Sequence, residues 1–203
     1  MLACPRYLLL IPMTEATAPK IHYSPLAEAR WCYLIEPRAQ MDESKPPAWS
    51  VDLLLPASDP RTQALHQQFG KMLDEAHGTK KPRSDKGMPL KLDKKDPTMM
   101  VMKFKAQQLT RTDGTTIPGP KVIDSKKQPW DGAAIGNGSK LIVAYKPHFW
   151  DRVEGVGMSL IPTAVQVVHF VPYLVDDGVD GFEEQAGGYS VAPFADEFAD
   201  EFE

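Results

Sequence analysis

Cysteine is scarce in this 203-residue chain, with only Cys4 and Cys32. Two thiols at that spacing cannot staple a small disulfide scaffold, and they form no C-x-x-C pair. Free thiols in a reducing compartment are the expectation. Long apolar runs are missing too. The strongest, Tyr7–Ile11, is bracketed by Pro5 and Pro12. It is far short of the roughly 20 residues a membrane-spanning helix needs and makes a poor signal-peptide core. The sequence therefore predicts a cytoplasmic protein without membrane partners.

Enzyme motifs are also lacking. The five histidines form no H-E-x-x-H and no Cys/His metal cluster, and there is no G-x-S-x-G elbow. Gly132–Lys140 (GAAIGNGSK) superficially resembles a phosphate-binding loop. However, Asn137 stands where the second glycine belongs, Ser139–Lys140 reverses the required order, and a strand rather than a helix follows. Asp176, Asp180 and Gly181 sit at positions 1, 5 and 6 of a calcium-loop pattern. Gly187 occupies position 12, so the bidentate carboxylate is absent. No catalytic residue, metal or cofactor is expected.

Basic residues are absent from one region altogether. From Asp176 to Glu203 there are ten acids and no Lys or Arg. The remaining 17 of the 27 acids face all 23 bases in residues 1–175, so the body carries +6 although the whole chain carries −4. A basic body attracts polyanions, and an acidic extension competes for the same surface.

Nineteen prolines and hydrophobic residues at 42% predict a real core built from short strands and loops. Strands are expected at 29–35, 48–55, 98–106, 121–124 and 139–146, with a longer run over 158–171 that Pro162 should bulge or place at an edge. A helix is predicted over 59–77, capped by Ser58 or Asp59 and ended by Gly78, with Leu65, Phe69, Met72, Leu73 and Ala76 on one face. Residues 79–97 read as a charged loop. This pattern predicts a mainly β fold, an OB-fold-like barrel with one inserted helix. Three regions follow: an irregular segment 1–27, a barrel domain 28–175, and a flexible acidic tail 176–203 that cannot bury enough apolar surface to fold alone. In the tail, Phe194, Phe198 and Phe202 recur every four residues among acids.

Aromatics interleaved with bases are what remains. Arg30, Trp31 and Tyr33 form one group, and Lys103 and Lys105 flank Phe104. Lys140, Tyr145, Lys146, His148, Phe149, Trp150 and Arg152 form the densest. Of these, Arg30, Trp31, Tyr33, Lys103, Lys105, Lys140, Tyr145, Lys146, Phe149, Trp150 and Arg152 are the candidate nucleic-acid contacts. Cations meet successive phosphates and flat rings stack bases, which is the mix that single-strand binding needs. Phe149 and Trp150 stand out because Pro147, His148, Asp151 and Arg152 make their surroundings polar and loop-like. On a strand, Lys103 and Lys105 share one face and leave Phe104 on the other.

The stretch Ile135–Tyr173 resembles the C-terminal half of single-stranded-DNA-binding proteins of tailed bacteriophages. The carriers are the Gly136–Ser139 turn (GNGS), Gly155–Val156, Leu160 and Ala164–Val168 (AVQVV), with Pro162 and Thr163 as local variation. The acidic tail with Phe202 next to last extends the likeness, and residues 1–90 match in strand–strand–helix order. The resemblance implies an OB-fold, sequence-tolerant binding of single-stranded DNA in replication and recombination, and homodimers. It also implies a tail that contacts the replicative polymerase and helicase and occupies the DNA groove when DNA is absent. That tail role falls here on Asp196, Glu197, Phe198, Asp200, Glu201 and Phe202. Three rivals stay open: an RNA-binding, cold-shock-like barrel, a non-enzymatic phage structural or assembly protein, and a nuclease, although the body's acids are scattered rather than clustered for metal.

Overall fold

The computed structural model describes residues 20–78 and 81–173; the expected tail, 176–203, lies outside them. Eight strands and one helix follow in the order β1 (His22–Tyr23), β2 (Ala27–Arg38), β3 (Ala48–Pro56), α1 (Pro60–His77), β4 (Leu90–Leu92), β5 (Met99–Gln107), β6 (Lys121–Ile123), β7 (Lys140–Arg152) and β8 (Gly155–His169).

Five of these strands close on themselves. β2 pairs β3, β3 pairs β5, β8 pairs β7 and β7 returns to β2, all antiparallel, while β5 and β8 run parallel with Phe104 opposite Leu160. Numbered by chain order among themselves, the ring reads one-two-three-five-four, a Greek-key barrel of the OB type. Closure removes the long free edges that an open sheet would expose. β1 adds to β7, β6 adds to β8, and β4 adds to β5.

Period-two alternation builds the interior. Val51, Leu53 and Leu55 of β3, Met100, Met102 and Phe104 of β5, and Met158 and Leu160 of β8 all point inward and are buried. Each large side chain removed from water in this way contributes about 1.5–3 kcal/mol. α1 packs on β7 and β8, sending Phe69 and Leu73 into the core. Asp59 caps it by accepting from the Arg61 N–H at 2.8 Å, Pro60 fills the first turn, and Gly78 ends it at φ 75°. Leu65 and Met72 pack half-buried on the same core, whereas Ala76 is exposed, so the apolar stripe ends one turn before the helix does.

Three departures from the sequence reading matter for the site. First, β1 and the start of β2 lie within the stretch expected to be irregular, and the Ser24 hydroxyl accepts from the Val143 N–H at 2.9 Å. Second, the charged loop 79–97 contains β4. Third, residues 147–152 form a strand rather than a polar loop, because β7 runs to Arg152 and turns tightly into β8 at Gly155. Pro162 behaves as expected. Ala144 faces Ala164 while Tyr145 faces Pro162, so β8 carries one extra residue there, and the freed Ala144 carbonyl accepts from the Thr163 hydroxyl at 3.1 Å.

Candidate nucleic-acid interface

The outward face of β3, β5, β8 and β7 forms a trough bounded by two loops. Register fixes what points into it. Asp52 lies opposite Lys103 and Ser50 opposite Lys105 on β3 and β5. His148 lies opposite Ser159 and Lys146 opposite Ile161 on β7 and β8. Above this face the β2–β3 loop contributes Gln40 and Lys45, and the segment after β5 contributes Leu109, Ile117 and Pro118. The enclosed depression has a volume of about 770 Å³, and Trp49, Trp150, Arg152 and Ile161 also line it. A cleft with apolar walls, flat rings and cations at its margins can take bases on one side and phosphates on the other.

Trp150 is the best-positioned ring. Its indole Nε1 donates to the Ser159 hydroxyl at 3.1 Å, and the Arg152 guanidinium sits 4.9 Å from its ring centroid. The ring lies flat because residue 157 has no side chain. A Cβ there would come 2.2 Å from Trp150 Cζ2 and 2.5 Å from Gly87 Cα. Gly157→Ala is expected to lift the indole off the sheet and cost about 1–3 kcal/mol of stability. Denaturant unfolding followed by tryptophan fluorescence measures both effects together.

Trp49 defines the opposite wall. It is nearly buried, with Gly119 packed so close that a Cβ there would come 2.5 Å from its Cε2. Nothing in its strand-like surroundings marked it as part of a site. Leu109, Ile117 and Ile161, exposed apolar residues in the trough, were equally silent in the sequence.

Electrostatics of the face depend on one embedded carboxylate. Asp52 sits between Arg30 on β2 and Lys103 on β5, and the Lys103 ammonium approaches it at 3.3 Å. Burial pushes the Asp52 carboxyl up from its ordinary range, and Lys103 opposes that shift. Arg30 is committed elsewhere, donating to Asp93 at 2.6 Å and holding that carboxyl below the usual carboxylate range. Lys105 donates to Gln40 at 2.5 Å. Asp52 therefore holds back Lys103 and repels any phosphate placed there. Asp52→Asn is expected to tighten binding of a polyanion roughly two- to five-fold, the scale of an exposed ion pair. For the native chain the sign is acid-strengthening, because protonating Asp52 releases Lys103. Titrating affinity against pH should show a steeper rise toward acid in the native chain than in the Asn variant.

Of the eleven residues expected from sequence, the structure brings Lys105, Trp150 and Arg152 into the trough's depression and Lys103 into the one adjoining it. Lys146 and Tyr33 share the same face by register, Tyr33 lying opposite Ser50 and bonded through its hydroxyl to Arg38 at 2.8 Å. Arg30 borders this face through Asp52. Lys140 lies at the far end of β7, beside Glu28 and His169. Trp31 lies in the bulge of β2 at φ 55°, a region rare for an aromatic, and its backbone N–H donates to Asn137 Oδ1 at 2.8 Å. It is half exposed and outside the trough.

Two expected platforms are corrected. Tyr145 is 2% exposed, packed against Phe69, Phe104 and His22, with its hydroxyl pushed up to about 12 by burial. Phe149 lies opposite buried Met158, packs on the core and meets the His77 ring edge-on at 6.1 Å. Because 145–152 is a strand, Lys146, His148, Trp150 and Arg152 share the outward side, whereas Tyr145 and Phe149 turn to the core. Neither ring can stack a base.

Among the described residues, no group of three or more His, Cys, Asp or Glu could hold a metal ion, and no helix is long and apolar enough to cross a membrane.

Comparison with known proteins bears on what this trough is. No family model matches the chain. The single-stranded DNA-binding protein of Escherichia phage T7 is 30% identical over 197 residues, spanning 82% of this chain and 84% of that protein. The chain belongs to the phage single-stranded-DNA-binding protein family. The crystal structure of the T7 member superposes with a TM-score of 0.59 at 26% identity, covering 86% of this chain and all of that one. A single-stranded DNA-binding protein from bacteriophage Enc34, solved in complex with single-stranded DNA, shares the fold at 12% identity with a TM-score of 0.58, over 75% of this chain and 89% of that one.

Proposed function

We propose that this family member binds single-stranded DNA without sequence preference, laying it along the outward face of β5, β8 and β7. The observation that carries the reading is the convergence of Trp150, Arg152, Lys103 and Lys105 on one concave face of a closed barrel. Phosphates meet the cations, and bases enter the cleft between Trp49, Trp150, Ile161 and Pro118. Every base has a flat face, so stacking there tolerates any sequence. Tyr33, Lys146 and Arg30 border the path, and Lys146 adds to the positive field along it.

The acidic segment 176–203 completes the mechanism. It carries −10 on the same chain as a +6 body, so it acts as an intramolecular competitor at high effective concentration. DNA displaces it and frees Asp196, Glu197, Phe198, Asp200, Glu201 and Phe202 for replication partners, a polymerase or helicase among them. The Phe spacing would line one face of a helix ordered on such a partner. We place the protein, on this reading, at sites of phage DNA replication and recombination in the host cytoplasm, acting without chemistry of its own and open to homodimer formation.

A gel shift with oligo-dT against the matching duplex, at two salt concentrations, tests the function. Preference for the single strand, weakening as salt rises, is the expected result. Equal affinity for poly-U would transfer the reading to RNA. No shift at low salt would favour an assembly protein.

A further inference from the structure

We propose a second subsite adjoining the stacking trough: a basin formed by Lys86, Lys91, Lys94, Lys103 and Lys105 that holds consecutive phosphates of the bound strand. This rests on the single-strand-binding reading and divides the path into a phosphate-gripping end and a base-stacking end.

The geometry comes from β4, the strand hidden in the charged loop. Pairing of Lys91 with Val101 puts Lys91 on the same outward face as Lys103 and Lys105. The preceding loop brings Lys86 alongside from the other bank, and Lys94 follows β4 directly. Together the five lysines line a depression of about 350 Å³ that Met88, Pro89 and Val101 line as well. Lys105 and Ser159 line both this basin and the trough, so the two are continuous.

These lysines stand on fixed backbone. Ser84 N–H donates to the Val156 carbonyl at 3.0 Å, and Met158 N–H donates to the Gly87 carbonyl at 2.8 Å. Residue 87 must be glycine, since a Cβ would fall 2.5 Å from the Val156 oxygen. That close approach is what seats Lys86 beside β8. On the other bank, Asp93 is tied to Arg30 and accepts from the Lys95 N–H at 3.2 Å, which holds the chain at Lys94. Preorganised cations spend little conformational entropy on binding.

The basin is also short of counter-charge. Among the described residues, Lys86, Lys91, Lys94 and Lys105 form no ion pair, and Lys103 shares Asp52. Asp85 lies nearby, but its carbonyl rather than its carboxylate takes the Lys91 ammonium. Burial first, and then the neighbouring lysines, push the Lys91 ammonium below its ordinary range, with Asp85 opposing. Like charges held together are relieved by a polyanion.

The test is the full chain with Lys86, Lys91 and Lys94 all changed to Ala, titrated with oligo-dT from low to high salt and read by tryptophan quenching and by filter retention. Each phosphate contact on a single strand contributes about 0.7 to the slope of log affinity against log salt. The slope should flatten by about two, while maximal quenching at saturation stays at the native level because Trp150 still stacks. A native melting temperature shows that the triple variant folds. If the native chain binds oligo-dT and the variant keeps its slope, the basin is not a phosphate subsite. If the variant binds more tightly, the basin serves the chain's own carboxylates instead, and the proposal is equally overturned. Failure of the native chain to bind at all would defeat the single-strand reading itself. Lys140→Ala, outside both depressions, serves as the charge control and should leave the slope within a single contact of native.

Discussion

Trp150→Ala lowers affinity for oligo-dT by about 1–3 kcal/mol, roughly five- to 150-fold, the range found for removing one stacked ring. The expectation follows from how the ring is held. Gly157 clears the space beneath it, Ser159 fixes its edge and the Arg152 guanidinium sits 4.9 Å from its centroid. A base stacking here joins an aromatic already oriented and flanked by a cation, so little ordering is required. The loss should fall mainly on the salt-independent part of binding. Extrapolating titrations of the native and Ala chains to high salt separates the two contributions. Trp150→Phe should recover most of the affinity, whereas Phe149→Ala, which removes a core-facing ring, should lower the melting temperature with little change in affinity per folded molecule. If Phe149→Ala weakened binding more than Trp150→Ala in folded protein, the assignment of faces on β7 would be wrong.

Deleting residues 176–203 tightens binding, on the order of tenfold at low salt, and steepens its salt dependence. A tethered segment acts at an effective concentration near 1 mM. Were its own Kd for the trough about 0.1 mM, it would occupy the site about nine-tenths of the time. Removing it then exposes the full affinity. The change in slope has a separate origin. In the intact chain, salt weakens the competitor as well as the DNA, and the two losses partly cancel. Without the competitor only the DNA term remains. A neutral segment of equal length should mimic the deletion. Unchanged or weaker affinity after deletion counts against the competition.

Much of this architecture was legible because barrel strands obey period two. The β3 run AWSVDLLL and the β5 run TMMVMKFKA display it directly, and Asp59–Pro60 with Gly78 frames the helix. Lys103 and Lys105 could be assigned to one outward face from alternation alone. The difficulty lay at 147–152, where Pro147 and flanking polar residues mimic a loop. Read as a loop, the segment offers Phe149 and Trp150 alike; as a strand it sends only Trp150 outward. A single change of backbone state thus decided two side chains. Closure decided the rest. Trp49, Ile117 and Ile161 meet across the trough from three separate stretches of chain, and no local pattern records that meeting. β4 was missed for a related reason. Three residues are too few to show a period, and Leu90 and Leu92 acquire their meaning only from pairing with β5. Trp31 marks the opposite case, since a ring beside an arginine looked like a stacking platform but the bulge in β2 turns the chain toward Asn137.

The location of the strand on the barrel is the claim on which the other expectations rest. Photocross-linking the full chain to oligonucleotides containing iodouracil, followed by mass spectrometry of the adducts, addresses it most directly. Adducts at Trp150, with Trp49 or Tyr33 alongside, are the predicted result. Efficient cross-linking confined to Trp31, Trp130 or Tyr173 would place the DNA elsewhere and contradict it.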